Sequence, residues 1–135
     1  MRTVRNLFLT LLLGLAAPGI PGAQAQQPAP NAVQSLDYAF LAGGVIAVKI
    51  VFERELEALP DVFAMYHPAN RVVLDFSNMR SAVSKSPLEV RQRGLWTLQV
   101  VRSGTRARVI IDLLQPMIRE MQITGTELLI TLSRP

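Results

Sequence analysis

Two short segments carry paired charges at one spacing: Arg71-Val-Val-Leu-Asp75-Phe76 and Arg108-Val-Ile-Ile-Asp112-Leu113. Each is Arg-x-x-x-Asp followed by a large apolar residue. On an extended strand the first and fifth positions share a face but lie about 13 Å apart, too far for a direct salt bridge. Each arginine must therefore find its carboxylate on another strand. If the two segments lie side by side and antiparallel, Arg71 meets Asp112 and Arg108 meets Asp75. Such pairs have two uses: a polar ladder that fixes strand register, or a row of guanidinium donors for carboxylates on a ligand such as a peptide stem.

Other chemistry is thinly represented. The chain of 135 residues has no cysteine, which removes thiol catalysis, disulfides and thiolate zinc sites. It has one histidine, His67, just before Pro68 in an expected turn, so neither a multi-histidine metal site nor a Ser-His triad is expected. Glu53, Glu55 and Glu57 alternate with Arg54, Leu56 and Ala58 at a strand exit, which reads as a soluble charged edge rather than an acid/base pair. No enzyme activity, cofactor or metal is expected. Of the aromatics, Trp96 is in phase with Leu98 and Val100 and Tyr38 with Leu36 and Phe40, which reads both as core; Tyr66 is the candidate exposed ring. Arg91, Arg93, Arg102, Arg106 and Arg108 would attract an anionic polymer if they shared a face, although a solvated surface is the simpler reading.

These residues must be positioned by a small exported domain. Arg2 and Arg5 precede the apolar run Leu7 to Leu15, Pro18 to Pro21 breaks it, and Ala23-Gln24-Ala25 offers a cleavage site. The run is short of the ~20 residues that span a bilayer, so residues 1–25 read as a cleaved signal peptide and membrane contact is expected only during export. No cysteine follows, which excludes a lipoprotein. Removing residues 1–25 takes two of the 14 basic residues and none of the 10 acidic ones, so the charge falls from +4 to +2. A nucleic-acid partner is not expected on that balance.

Residues 26–31 (QQPAPN) read as a flexible lead-in and 32–133 as one domain. Apolar residues then recur with a period of two. Ile46, Val48, Ile50 and Phe52 mark one strand; Val72, Leu74 and Phe76 a second; Val109, Ile111 and Leu113 a third; Leu128, Ile130 and Leu132 a fourth. Weaker strands are expected over 33–40, 62–67, 95–101 and 118–123, separated by turns at Gly43-Gly44, Pro68-Ala69-Asn70, Gly104 and Gly125. Eight short strands predict an all-β sandwich of two small sheets. One short helix is expected from Ser86-Pro87-Leu88-Glu89, a capping box, to Gly94. The order of elements repeats between the halves, as in a pseudo-two-fold pair of β units covering each other's apolar faces, and also as in any β-meander.

With that order in place, the chain resembles the AMIN domain, the targeting module of periplasmic N-acetylmuramoyl-L-alanine amidases and of the type IV pilus secretin. The resemblance rests on Asn31-Ala-Val-Gln-Ser-Leu-Asp37, Val48-Lys-Ile-Val-Phe52, Asn70-Arg-Val-Val-Leu-Asp-Phe76 and Arg106-Ala-Arg-Val-Ile-Ile-Asp-Leu113 leading to Pro116. It covers residues 31–133, and its opening and first motif look closer to the secretin version. It implies a periplasmic, non-catalytic β-sandwich that binds peptidoglycan, with pilus secretin or pilus-assembly proteins as further partners. Carried over, its motif residues are Arg71, Asp75, Arg108 and Asp112. An amidase would continue into a zinc-dependent domain and a secretin into periplasmic repeats and a barrel. The expectation is thus a stand-alone module or the start of a longer protein, without hydrolytic or pore-forming machinery. The alternative function is a protein-interaction module that captures a strand of a pilus or envelope partner on a sheet edge.

Overall fold

The computed structural model describes residues 28–67 and 69–135. The expected signal peptide lies outside the described residues. Ten strands are found among those described: β1 (Asn31–Leu41), β2 (Val45–Phe52), β3 (Asp61–Met65), β4 (Asn70–Phe76), β5 (Met79–Ser81), β6 (Leu88–Gln92), β7 (Leu95–Ser103), β8 (Arg106–Leu113), β9 (Ile118–Thr124) and β10 (Glu127–Ser133). They form two five-stranded sheets, β5-β1-β2-β10-β9 and β3-β4-β8-β7-β6. All pairings are antiparallel except β1 with β5.

The period-two pattern explains why the sheets stack. Ile46, Val48, Ile50 and Phe52 of β2 and Leu128, Ile130 and Leu132 of β10 line the inner face of the first sheet; Val72, Leu74, Phe76, Val109, Ile111, Leu95 and Leu98 line that of the second. All are buried, and each such side chain contributes about 1.5–3 kcal/mol on leaving water. The Phe52 and Phe76 rings meet across the core at 5.2 Å. Tyr38 and Phe40 pack against its edge, half-buried, in a T-shaped pair.

The repeat seen in the sequence has a topological counterpart. Exchanging β1-β2 for β7-β8 and β10-β9 for β4-β3 turns the order β1-β2-β10-β9 into β7-β8-β4-β3, the order of the second sheet. The halves are not, however, two separate layers. Each contributes one hairpin to each sheet; the two hairpins of a half are joined by a crossing after β2 or β8, where Pro60 and Pro116 lie, and the segment between the halves crosses twice more, through β5.

The helix expected from Ser86 to Gly94 is absent. Leu88–Gln92 is strand β6, paired with β7 through Leu88↔Leu98, Glu89↔Thr97 and Gln92↔Leu95. A helix of about two turns has little stability of its own. As a strand the segment satisfies the edge of β7, and Leu88 and Val90, two apart, both pack on the core. The Ser86 hydroxyl accepts from Val100 N–H at 2.9 Å and so caps no helix. Helical hydrogen bonding among the described residues is confined to the 3-10 turn Ala42–Gly44.

Trp96 also departs from expectation. The β7 and β8 register jumps between Leu95↔Leu113 and Thr97↔Asp112, so Trp96 is the extra residue of a bulge. The bulge takes it out of the inward phase of Leu98, leaving it 39% exposed beneath the Arg91 guanidinium, 5.2 Å from the ring centroid. The lead-in is coil over residues 28–30, but it is tied to the sandwich: Arg54 donates to Ala29 O and Asn78 to Pro28 O.

Candidate functional site: the outer face of the second sheet

β4 and β8 are central neighbours in the second sheet, and their register sets Arg71 against Asp112 and Asp75 against Arg108. The outward phase of the sheet forms three rows across the strands. The first runs Met65, Arg71, Asp112, Thr97; the second Phe63, Val73, Ile110, Gln99; the third Asp61, Asp75, Arg108, Val101. The outcome is an apolar row between two charged ones.

In the first row Arg71 binds Asp112 bidentately, Nε to Oδ1 at 2.6 Å and Nη2 to Oδ2 at 3.2 Å. The Thr97 hydroxyl donates to the same Oδ2 at 2.9 Å. The hydrogen bond with Asp112 raises the Arg71 pKa against the smaller, opposite effect of burial, with the carboxylate's charge adding to the rise. Arg71 therefore holds its proton more tightly than a free arginine.

The third row is organised around Asp75, the one charged residue buried among those described, at 6% exposure. Arg106 Nε donates to its Oδ1 at 3.0 Å, and Arg108 Nε lies 3.6 Å from Oδ2. Asp61 stands directly opposite Asp75 on β3, a repulsive register for two carboxylates. Arg106 offsets it by reaching Asp61 as well, at 3.6 Å. Beside this row the connection from β2 to β3 and the turn after β4 enclose a cleft of about 460 Å³ that includes Asp61, Asp75 and Arg106.

Between the rows lies the feature that residue spacing alone did not single out. Phe63 is 51% exposed, and Met65 and Tyr66 continue the exposed surface at the end of β3. Val73 and Ile110 are half-buried beside Phe63. The signal was present: Val73 and Ile110 occupy the same outward phase as Arg71, Asp75, Arg108 and Asp112. Arg106 was equally legible, two residues before Arg108 and so on the same face; Thr97 was not, because the Trp96 bulge shifts its phase.

The remaining candidates do not gather here. Arg91 pairs with Glu89 at 3.1 Å, Arg93 lies over the Phe40 ring, and Arg102 reaches only Gly104 O at its own turn, so the five arginines form no common basic face. Glu53 pairs with Arg80 at 3.3 Å, while Glu55 and Glu57 border the Asp75 cleft. His67 is exposed between β3 and β4. No group of three metal-ligating side chains occurs among the described residues. Comparison with family models, with curated proteins and with solved structures finds no match to this chain.

Proposed function

We propose that this domain is a non-catalytic peptidoglycan-binding module of the periplasm, positioning a component of a cell-envelope machine such as the type IV pilus secretin. The observation that supports this most is the banded outer face, with Phe63, Val73 and Ile110 between two rows of arginine–aspartate pairs. The CH-rich face of a sugar ring packs on an exposed aromatic or branched side chain. Guanidinium groups at the band's edges offer donors to glycan hydroxyls and stem-peptide carboxylates. The face is shallow, so each contact is weak and retention comes from repetition along the polymer. The export signal read from residues 1–25 agrees with this compartment. Purified sacculi should sediment the protein without releasing soluble muropeptides. Protein left wholly in the supernatant contradicts the reading.

One further observation favours a second reading. β9 is an edge strand with one unpaired side, and nearly all of its residues are exposed. It can take an added strand from an envelope partner. A proline placed in β9 where the N–H faces away from β10 then abolishes partner capture and leaves sacculus binding intact.

A further inference from the structure

At the end of the sandwich opposite the Asp75 cleft, the sheets part around a cavity of about 570 Å³. Phe40, Val45 and Met117 supply apolar surface, and the exposed side chains of Leu41 and Leu114 stand at its rim. Two arginines reach it from different strand ends. The Arg93 guanidinium lies 5.3 Å from the Phe40 ring centroid. Arg134 lies beside Gly44, with Nε 3.7 Å from the point a Cβ there would occupy.

No acidic residue lines this cavity, and among the described residues neither arginine has a carboxylate within ion-pair distance. Six of the other described arginines are paired, and the two that are not, Arg102 and Arg119, do not line this cavity. Arg93 also takes a left-handed backbone conformation, φ +55°, ahead of Gly94 at φ +93°. Glycine or asparagine adopts that conformation at less cost, so turn chemistry gives no reason for an arginine there. Two uncompensated cations in a concave, partly apolar site raise the local concentration of anions. A guanidinium matches the planar carboxylate with two parallel donors. The apolar surface beneath favours a carboxylate carried on small apolar groups, and concavity favours a chain end over a flat charged surface.

We infer that this cavity binds the terminal carboxylate of a peptidoglycan stem peptide, with its small apolar side chains against Phe40 and Met117. The inference rests on the peptidoglycan reading but uses none of the residues of the outer face. It adds a second, end-on contact to a module that otherwise binds along the polymer.

The test is titration of the protein with N-acetyl-D-alanyl-D-alanine, with the C-terminal amide of that dipeptide and with the L,L dipeptide, followed by NMR. The acid binds, and the amide binds about 10-fold more weakly. Arg93→Gln and Arg134→Gln each weaken the acid at least about 10-fold, as expected for loss of one charge-assisted hydrogen bond. Both side chains are exposed, and unchanged urea midpoints verify that the variants are folded. Equal binding of acid and amide, or no effect of either substitution, overturns the inference. Preference for the L,L dipeptide overturns the stem-peptide assignment and points to a protein C-terminus. Sacculus binding without dipeptide binding defeats this inference alone, whereas dipeptide binding without sacculus binding defeats the peptidoglycan reading.

Discussion

Replacing Asp75 by asparagine removes the charge on which Arg106 and Arg108 converge while keeping the side chain's shape. The Arg106 bond, 3.0 Å long, is charge-assisted and of a kind that contributes about 1.5–3 kcal/mol. Asparagine's amide oxygen still accepts, which retains part of that. The Arg108 contact at 3.6 Å is longer, and the arginine side chains are 40% and 48% exposed, so solvent screens them and the second contact contributes about 0–1 kcal/mol. Removing the charge also relieves the repulsion between Asp75 and Asp61. The net cost is about 1–2 kcal/mol, equivalent to a fall in Tm of roughly 5–10 °C for a domain of this size. Urea unfolding should show a lower midpoint with an unchanged slope. Asp61→Asn, on a side chain 71% exposed, should stay within about 0.5 kcal/mol. In a double-mutant cycle Asp75→Asn and Arg106→Gln should couple by at least about 0.5 kcal/mol. Refutation would be Asp75→Asn as silent as Asp61→Asn, or no coupling to Arg106.

Three other outcomes follow from the packing. Leu98→Ala, at a fully buried position, should cost about 2–5 kcal/mol, while Trp96→Ala on the bulge should cost no more than about 1 kcal/mol; the reverse order in urea melts contradicts the bulge. Arg71→Lys loses the fork on Asp112 and should lower stability by about 1 kcal/mol, visible as a midpoint shift. Because the Arg71 pKa is raised on folding, its contribution is fully present below the unfolded value and is lost only as pH rises through the higher folded one. Urea midpoints of wild type and Arg71→Lys should therefore keep a constant difference between neutral pH and about pH 10; convergence in that range contradicts the assignment.

Much of the architecture was legible because burial in a sandwich imposes a period of two. The inward sets of β2, β4, β8 and β10 are those the alternation marked. The Arg71–Asp112 and Asp75–Arg108 registers follow from equal spacing in two strands that needed neighbours. What local pattern could not deliver was decided by tertiary pairing. Ser86-Pro87-Leu88-Glu89 carries helix-start chemistry, but the open edge of β7 and the apolar spacing of Leu88 and Val90 favour a strand. Trp96 has the phase of a core residue until one inserted residue turns it outward. The banding of the outer face required register across three strands to bring Phe63, Val73 and Ile110 into one row, and the Arg93 and Arg134 cavity joins residues far apart in the chain.

The claim that the outer face of the second sheet holds peptidoglycan is tested most directly by sedimenting the protein with purified sacculi, comparing wild type with Phe63→Ser and with Thr131→Ala. Phe63 is the exposed aromatic of the band, on edge strand β3, and Thr131 lies on the outer phase of the other sheet. One lost stacking contact of about 0.5–1.5 kcal/mol corresponds to roughly 2- to 10-fold weaker retention. Phe63→Ser should show that loss, and Thr131→Ala should be retained like wild type. Retention unaffected by Phe63→Ser, or reduced equally by both substitutions, contradicts the claim.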